Sequence, residues 1–150
     1  MISRAEANSY LDTLFGNSDS LSRPDELYLG LCSTEPEQAD GTVTGEPTAA
    51  SYARVPVGGR LVSTKYFSNA NMGIIMNAKE IHFNVAREAW STASNPMRYF
   101  FLSNSSTGKA RIWGELIDES GTPDPLIIDV ETVPVFYTGY LRASIDVPLT

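Results

Sequence analysis

A single cysteine, Cys32, and a single histidine, His82, are all the thiol and imidazole chemistry that the 150 residues offer. No disulfide can form within the chain, and a zinc site of four Cys or His ligands cannot be assembled. A thiol nucleophile would need His82 as its base. Cys32, however, sits in the apolar run "LYLGLCS", where a small buried thiol is the ordinary role. No apolar run approaches the roughly 20 residues that cross a bilayer. The opening "MISRAEANSY" has neither the basic start nor the apolar centre of a secretory signal. Basic residues are scarce, with 11 Lys and Arg against 18 acids and a net charge of −7. Phosphate backbones are held by cationic faces, so nucleic acid is not an expected partner.

Several catalytic signatures are also missing. "VPVGGR" has two glycines but no Lys-Ser/Thr ending of a phosphate loop. No Gly-x-Ser-x-Gly elbow occurs. Glu80, Glu115, Asp118 and Asp129 supply carboxylates, but nothing in their spacing sets the separation a glycosidase pair depends on. The expectation is a protein without catalytic residues and without a cofactor.

What is present is the composition of an ordinary globular protein, 42% hydrophobic and 19% charged. One domain over residues 1–150 is expected, large enough to bury about 70% of its unfolded surface without staples. Ser3-Arg4-Ala5-Glu6 fits a capping box. Tyr10, Leu14 and Phe15 then fall on one helical face, which predicts an amphipathic helix over about 3–16, stopped at Gly16. From residue 26 the period changes to two. Leu27, Leu29 and Leu31 share one side and Tyr28, Gly30 and Cys32 the other, the pattern of a central strand apolar on both faces.

The segment 33–51, "STEPEQADGTVTGEPTAAS", is a long acidic loop, and loops of that length are commonly functional or mobile. "YARVPVGGRLV" follows as an edge strand, because Pro56 lacks a ladder donor. In "GIIMNAKEIHFNVA" the residues Ile81, Phe83 and Val85 alternate with His82 and Asn84. "REAWSTASNP" reads as a loop, "MRYFFLSN" and "ARIWGELIDE" as a hairpin, "ESGTPDP" as a turn, and "LIIDV" and "GYLRASIDV" as strands. Seven or eight short strands with turn chemistry between them predict a mainly β fold, an antiparallel β-sandwich of jelly-roll type with the N-terminal helix added.

The ordered combination "YLDTLFG", "LYLGLCSTEPEQADGTVTGEP", "SYARVPV", "NAKEIHFNVAREAW", "YFFLSNSSTGKARIWGEL" and "VETVPVFYTGYLRASI" resembles a group of small virion structural proteins of tailed bacteriophages. Those proteins are described as tail-fibre, collar or head-decoration components. The similarity runs from about Tyr10 to Ile145. It departs after Trp90, where "WSTASNPMRYFF" stands in place of the group's Trp-Gly and glycine-rich stretch.

The resemblance implies a non-enzymatic virion protein, made in the host bacterial cytoplasm, that assembles with itself as a symmetric homo-oligomer and with other virion proteins. Candidate assembly contacts are Tyr10, Leu14 and Phe15 on the helix and Glu35, Glu37, Asp40 and Glu46 in the loop, with Tyr52 and Arg54 at its end. Arg54 is expected to pair with an acid of the preceding loop or of a neighbouring copy. An exposed pair worth about 0–1 kcal/mol would set register more than stability. Calcium on the four loop acids is a second possibility, without the spacing of an EF-hand. The alternative function is a host-glycan or receptor-binding module, with Trp90 and Trp113 as contacts and Tyr66 and Phe67 beside them. Aromatic residues in strands more often fill cores or subunit contacts.

Overall fold

A computed structural model describes residues 1–8, 24–69, 71 and 74–144. The strands are β1 (Leu27–Cys32), β2 (Val55–Gly58), β3 (Ile74–Met76), β4 (Ile81–His82), β5 (Tyr99–Ser103), β6 (Ile112–Glu115), β7 (Val135–Phe136) and β8 (Arg142–Ser144). All pairings between them are antiparallel. Four strands form one sheet in the order β2-β1-β5-β6, and two ribbons pair β3 with β8 and β4 with β7. A jelly roll would show two facing sheets of about four strands each. The ladders among the described residues are one such sheet and two short ribbons.

The two apolar sides of β1 each make a core. Leu29 and Leu31 pack with Val57, Ile81, Phe83, Trp90, Met97, Leu102, Ile128 and Leu141 on one side of the sheet. Cys32 packs with Phe101, Ala110 and Trp113 on the other. The register explains the division. Gly30 lies opposite Phe101, and Phe101 opposite Trp113, so all three point to the second core. A Cβ on Gly30 would stand 2.2 Å from Cζ of Phe101; the glycine is there because the phenyl ring crosses the strand at that point. Full burial of a side chain such as Leu29 stabilises by about 1.5–3 kcal/mol.

β2 is at the sheet edge, as Pro56 requires, and its register with β1 shifts between Leu27 and Tyr28. The opposite edge, at β6, is partly covered by the first residues. Ile2 bridges to Ile112, and the amides of Trp113 and Ser3 donate to the carbonyls of Met1 and Arg111. Residues 4–8 then form a helical turn. Its N-cap is half of the expected box: Ser3 Oγ accepts from the Glu6 amide at 3.1 Å. The Glu6 carboxylate does not reach back to Ser3 and instead binds the Arg111 guanidinium, with Nε donating at 2.9 Å. The rest of the predicted helix, with Tyr10, Leu14 and Phe15, lies outside the described residues.

Two expectations are corrected, and one strand was not foreseen. Val85 is exposed rather than inward, and Ala86 takes the buried place. The ladder of β4 ends at His82, and Ala86 is then drawn in by exchanging backbone hydrogen bonds with Thr132 and Glu131. "LIIDV" forms no strand. It makes one bridge, Leu126 to Met97, with two further bonds from Trp90 and Ser91 to the Ile128 carbonyl. β7 lay unread in "VETVPVF", because two residues after a proline carry too little periodicity to register.

Candidate functional site

The acidic loop 33–51, expected with the N-terminal helix to make contacts, is built with Tyr52 and Arg54 around one ion pair. Arg54 leaves the start of β2 and lays its guanidinium over the ring of Phe101, 4.6 Å from the centroid. Its side chain is 3% exposed. Nε donates to Glu46 Oε1 at 2.7 Å and Nη2 to Oε2 at 2.8 Å, a two-pronged pair of the kind that fixes orientation as well as charge. Nη1 donates to the carbonyls of Ser105 at 3.0 Å and Gly108 at 2.7 Å. Four of the five N–H groups of the guanidinium are thereby used.

Tyr52 closes the network. Its hydroxyl donates to Glu46 Oε1 at 2.8 Å and accepts from the Leu31 amide at 3.1 Å. Burial, and then the charge of Glu46, push the Tyr52 phenol far above its usual range. It is therefore a permanent hydrogen donor. The same two causes push the Cys32 thiol up to about 12, which leaves it protonated and unreactive at neutral pH. His82, its only conceivable base, is on the exposed side of β4 and bonded to Glu80 at 2.9 Å. Cys32 and His82 form no catalytic pair.

Of the two partners expected for Arg54, the acid of its own loop is the one it meets. Its pairing is buried rather than exposed, and this corrects the magnitude. Taking one partner from a buried pair leaves an uncompensated charge and costs about 3–5 kcal/mol. Arg54 therefore sets stability as well as register.

Of the other loop acids, Glu35 and Asp40 are also engaged, each in a different place, and Glu37 is not. Glu35 accepts from Trp113 Nε1 at 3.2 Å. Asp40 pairs with Lys109 and accepts from the amide and hydroxyl of Thr42 at 3.0 and 2.8 Å. The Lys109 ammonium, then the Thr42 hydroxyl, hold the Asp40 carboxyl down at about 2. Glu37 has an exposed side chain and spends its backbone groups on Thr42 and Gly41. Among the described residues no group of three or more His, Cys, Asp or Glu side chains is placed to hold a metal ion. The loop is stitched on both sides: the Arg4 amide donates to Gln38, the Ala110 amide to Gly41, and the Ser33 amide to Gly45.

The tryptophans of the glycan alternative are not in one groove. Trp90 is 5% exposed and lies in the first core, its Nε1 donating to Ser51 Oγ at 2.9 Å. Trp113 is 2% exposed and lies in the second core, across the sheet. Tyr66 and Phe67 are partly buried against the first core. A shallow pocket of about 230 Å3 touches Trp113 beside Glu35, Tyr99 and Glu115.

Two structural residues escaped the sequence reading. Ser51 ties the end of the loop to Trp90 and to the Arg87 amide. Asn77 is fully buried; its amide nitrogen donates to the carbonyls of Lys79 and Tyr137 at 2.9 Å, and its Oδ1 accepts from Leu141. An asparagine beside "MNAK" has no periodic signal, and only its position inside the β3–β8 connection shows its role.

A family model described as Podophage GP4 fiber I protein gp80 matches residues 1–131. A comparison with the curated proteins gives no match. The matched span holds the whole 33–51 loop, Arg54 and both tryptophans.

Proposed function

Because this chain belongs to the podophage GP4 fiber I protein gp80 family, we propose that it is a structural component of a bacteriophage fibre, working by protein–protein assembly and not by catalysis. The family match over residues 1–131 carries the reading. The geometry agrees with it. The acidic loop, which a binding or catalytic loop would leave free to close on a ligand, is instead locked to the protein's own frame by Arg54, Lys109 and Trp113. Such a module serves as a stiff building block. Fibres are made by repetition of identical contacts, so a symmetric homo-oligomer is the expected assembly. The fibre itself is favoured over a collar or head-decoration position, because the family description names a fibre.

The test is peptide mass spectrometry on gradient-purified particles, with copy number measured against the major capsid protein, beside light scattering of the purified protein. Peptides of this chain at a fixed integer copy number, and a closed oligomer in solution, are the expected results. Particles that carry no trace of the chain would overturn the assignment. A monomer at high concentration would remove the intrinsic homo-oligomer while leaving assembly on a particle in place.

A further inference from the structure

Resting on the assembly reading, we infer that the belt formed by residues 117–140 is the face that docks a different virion protein, one presenting lysines and arginines around an apolar centre. The belt is secured along its inner side. The Asp124 and Leu126 amides donate to Leu116 and Met97, and the Ile128, Thr132 and Pro134 carbonyls accept from Trp90, Ala86 and Phe83. β7 pairs with β4, and the Gly139 amide donates to Asn77. Ile128 and Leu141 turn inward and are buried.

The outward residues are of a different kind. Half of the large exposed hydrophobic side chains of the described residues come from this one belt: Ile117, Ile127, Val130, Val133, Tyr137 and Tyr140. The two tyrosines are 58% and 62% exposed. Their rings meet edge to face at 6.2 Å, and the Tyr140 hydroxyl donates to Glu119 at 2.9 Å. The turn at 117–120 and the turn at 137–140 are therefore neighbours, and the tyrosines are held in place without being covered. Along the belt these six side chains display apolar surface on the order of 500 Å2; the largest apolar patch of a monomer is commonly about 300–600 Å2 and is often functional.

Charge decides which partner. The 24 residues from Ile117 to Tyr140 contain five acids (Asp118, Glu119, Asp124, Asp129 and Glu131) and no Lys, Arg or His. All five are exposed, and none has an ion-pair partner among the described residues. The bonded segment 77–98 adds Lys79, Arg87 and Arg98 against Glu80 and Glu88, one net positive charge that leaves the face acidic. Arg142, at the end of the belt, turns back onto the Gly139 carbonyl. Two copies meeting through this face would set carboxylates against carboxylates, which opposes association. A basic-rimmed surface matches it in both hydrophobicity and charge.

Purified particles treated with a water-soluble carbodiimide, which joins a carboxylate to a lysine in contact with it, test this directly on the native chain. The expected result is amide links from at least one of the five acids to a lysine of another virion protein, and their loss when particles are first dissociated in high salt. Links from these acids only to a second copy of this chain, told from internal links by their presence in the cross-linked dimer band and not in the monomer band, would overturn the inference in favour of self-association. No links from them in particles that contain the chain would mean an unoccupied face, and would overturn it too. Particles without the chain would instead sink the assembly reading beneath it. As a second measurement, the variant Y137S/Y140S removes two exposed rings and should cut the occupancy of the chain on particles at least tenfold, with an unchanged circular dichroism spectrum. Undiminished occupancy would count against the face.

Discussion

Replacing Arg54 with methionine keeps the length and much of the volume of the side chain but removes the guanidinium. Three sets of acceptors then lose their donors: both oxygens of Glu46, the Ser105 carbonyl and the Gly108 carbonyl. Glu46 keeps only the Tyr52 hydroxyl, so an anion is left with one hydrogen bond beside the protein interior. Breaking a buried pair from one side costs about 3–5 kcal/mol, a large part of the roughly 5–15 kcal/mol that holds an ordinary domain together. Glu46 is partly open to water, which places the expectation at the lower end, about 3 kcal/mol. For a chain of this size each kcal/mol lowers the melting temperature by about 2–4 °C, so R54M should melt roughly 10 °C lower. Urea unfolding followed by tryptophan fluorescence gives the free energy directly. In the double variant R54M/E46L the abandoned carboxylate is gone, and its loss should be smaller than the sum of the two single losses by more than about 1 kcal/mol. A cost below about 1 kcal/mol for R54M, or strict additivity in the cycle, would refute a buried lock and return the pair to the class of surface ion pairs.

The remaining expectations are separate from that network or touch it at one point. G30A forces a methyl group into Phe101, 2.2 Å from Cζ, and should destabilise by about 1–3 kcal/mol through overpacking; an unchanged urea midpoint would refute the close approach. N77L leaves the buried Leu141 amide and the partly buried carbonyls of Lys79 and Tyr137 without these partners and should cost about 1–3 kcal/mol, read from the same unfolding curves. Cys32, with its thiol raised to about 12, should resist a disulfide reagent at pH 8 in the native state and react at once in denaturant. The raised value also means that stability is full below the thiol's unfolded pKa of about 8.5 and declines as pH rises above it, because only the unfolded chain ionises there. Asp40 runs the other way: its folded value of about 2 lies below the unfolded value of about 3.9. Its contribution is present above pH 4 and lost as pH falls through 2. A carboxyl NMR titration midpoint near 4 would refute the Lys109 contact.

The strands legible in the sequence were those with length and alternation. "LYLGLC" is six residues with both sides apolar, and it stands at the centre of the sheet. The hairpin of β5 and β6 was marked by its turn, and the edge place of β2 by Pro56. β7 and the segment 126–134 were misread or missed because their backbone bonds go to loops and two-residue ribbons. A chain held by scattered single bonds leaves no period to detect. The site was half legible. Tyr52, Arg54 and Glu46 were singled out as charged and aromatic residues at a loop boundary, and the pairing of Arg54 with a loop acid was among the expectations. That this pair is buried was not legible, since a charged residue is ordinarily exposed.

The sequence by itself determined the chemistry on offer and the two-sided central strand. It excluded an internal disulfide and a zinc site built of Cys and His alone, and it set which way the charge leans. It also carried enough ordered pattern to mark the family. Only the tertiary structure decided where the loop's charges go, because Glu46 and Arg54 are brought to the carbonyls of Ser105 and Gly108 by the pairing of β1 with β2 and β5. It decided, too, that the tryptophans are core and the tyrosines of the last turn are surface. Exposure belongs to the packing of distant segments against one another, and residue type alone does not encode it.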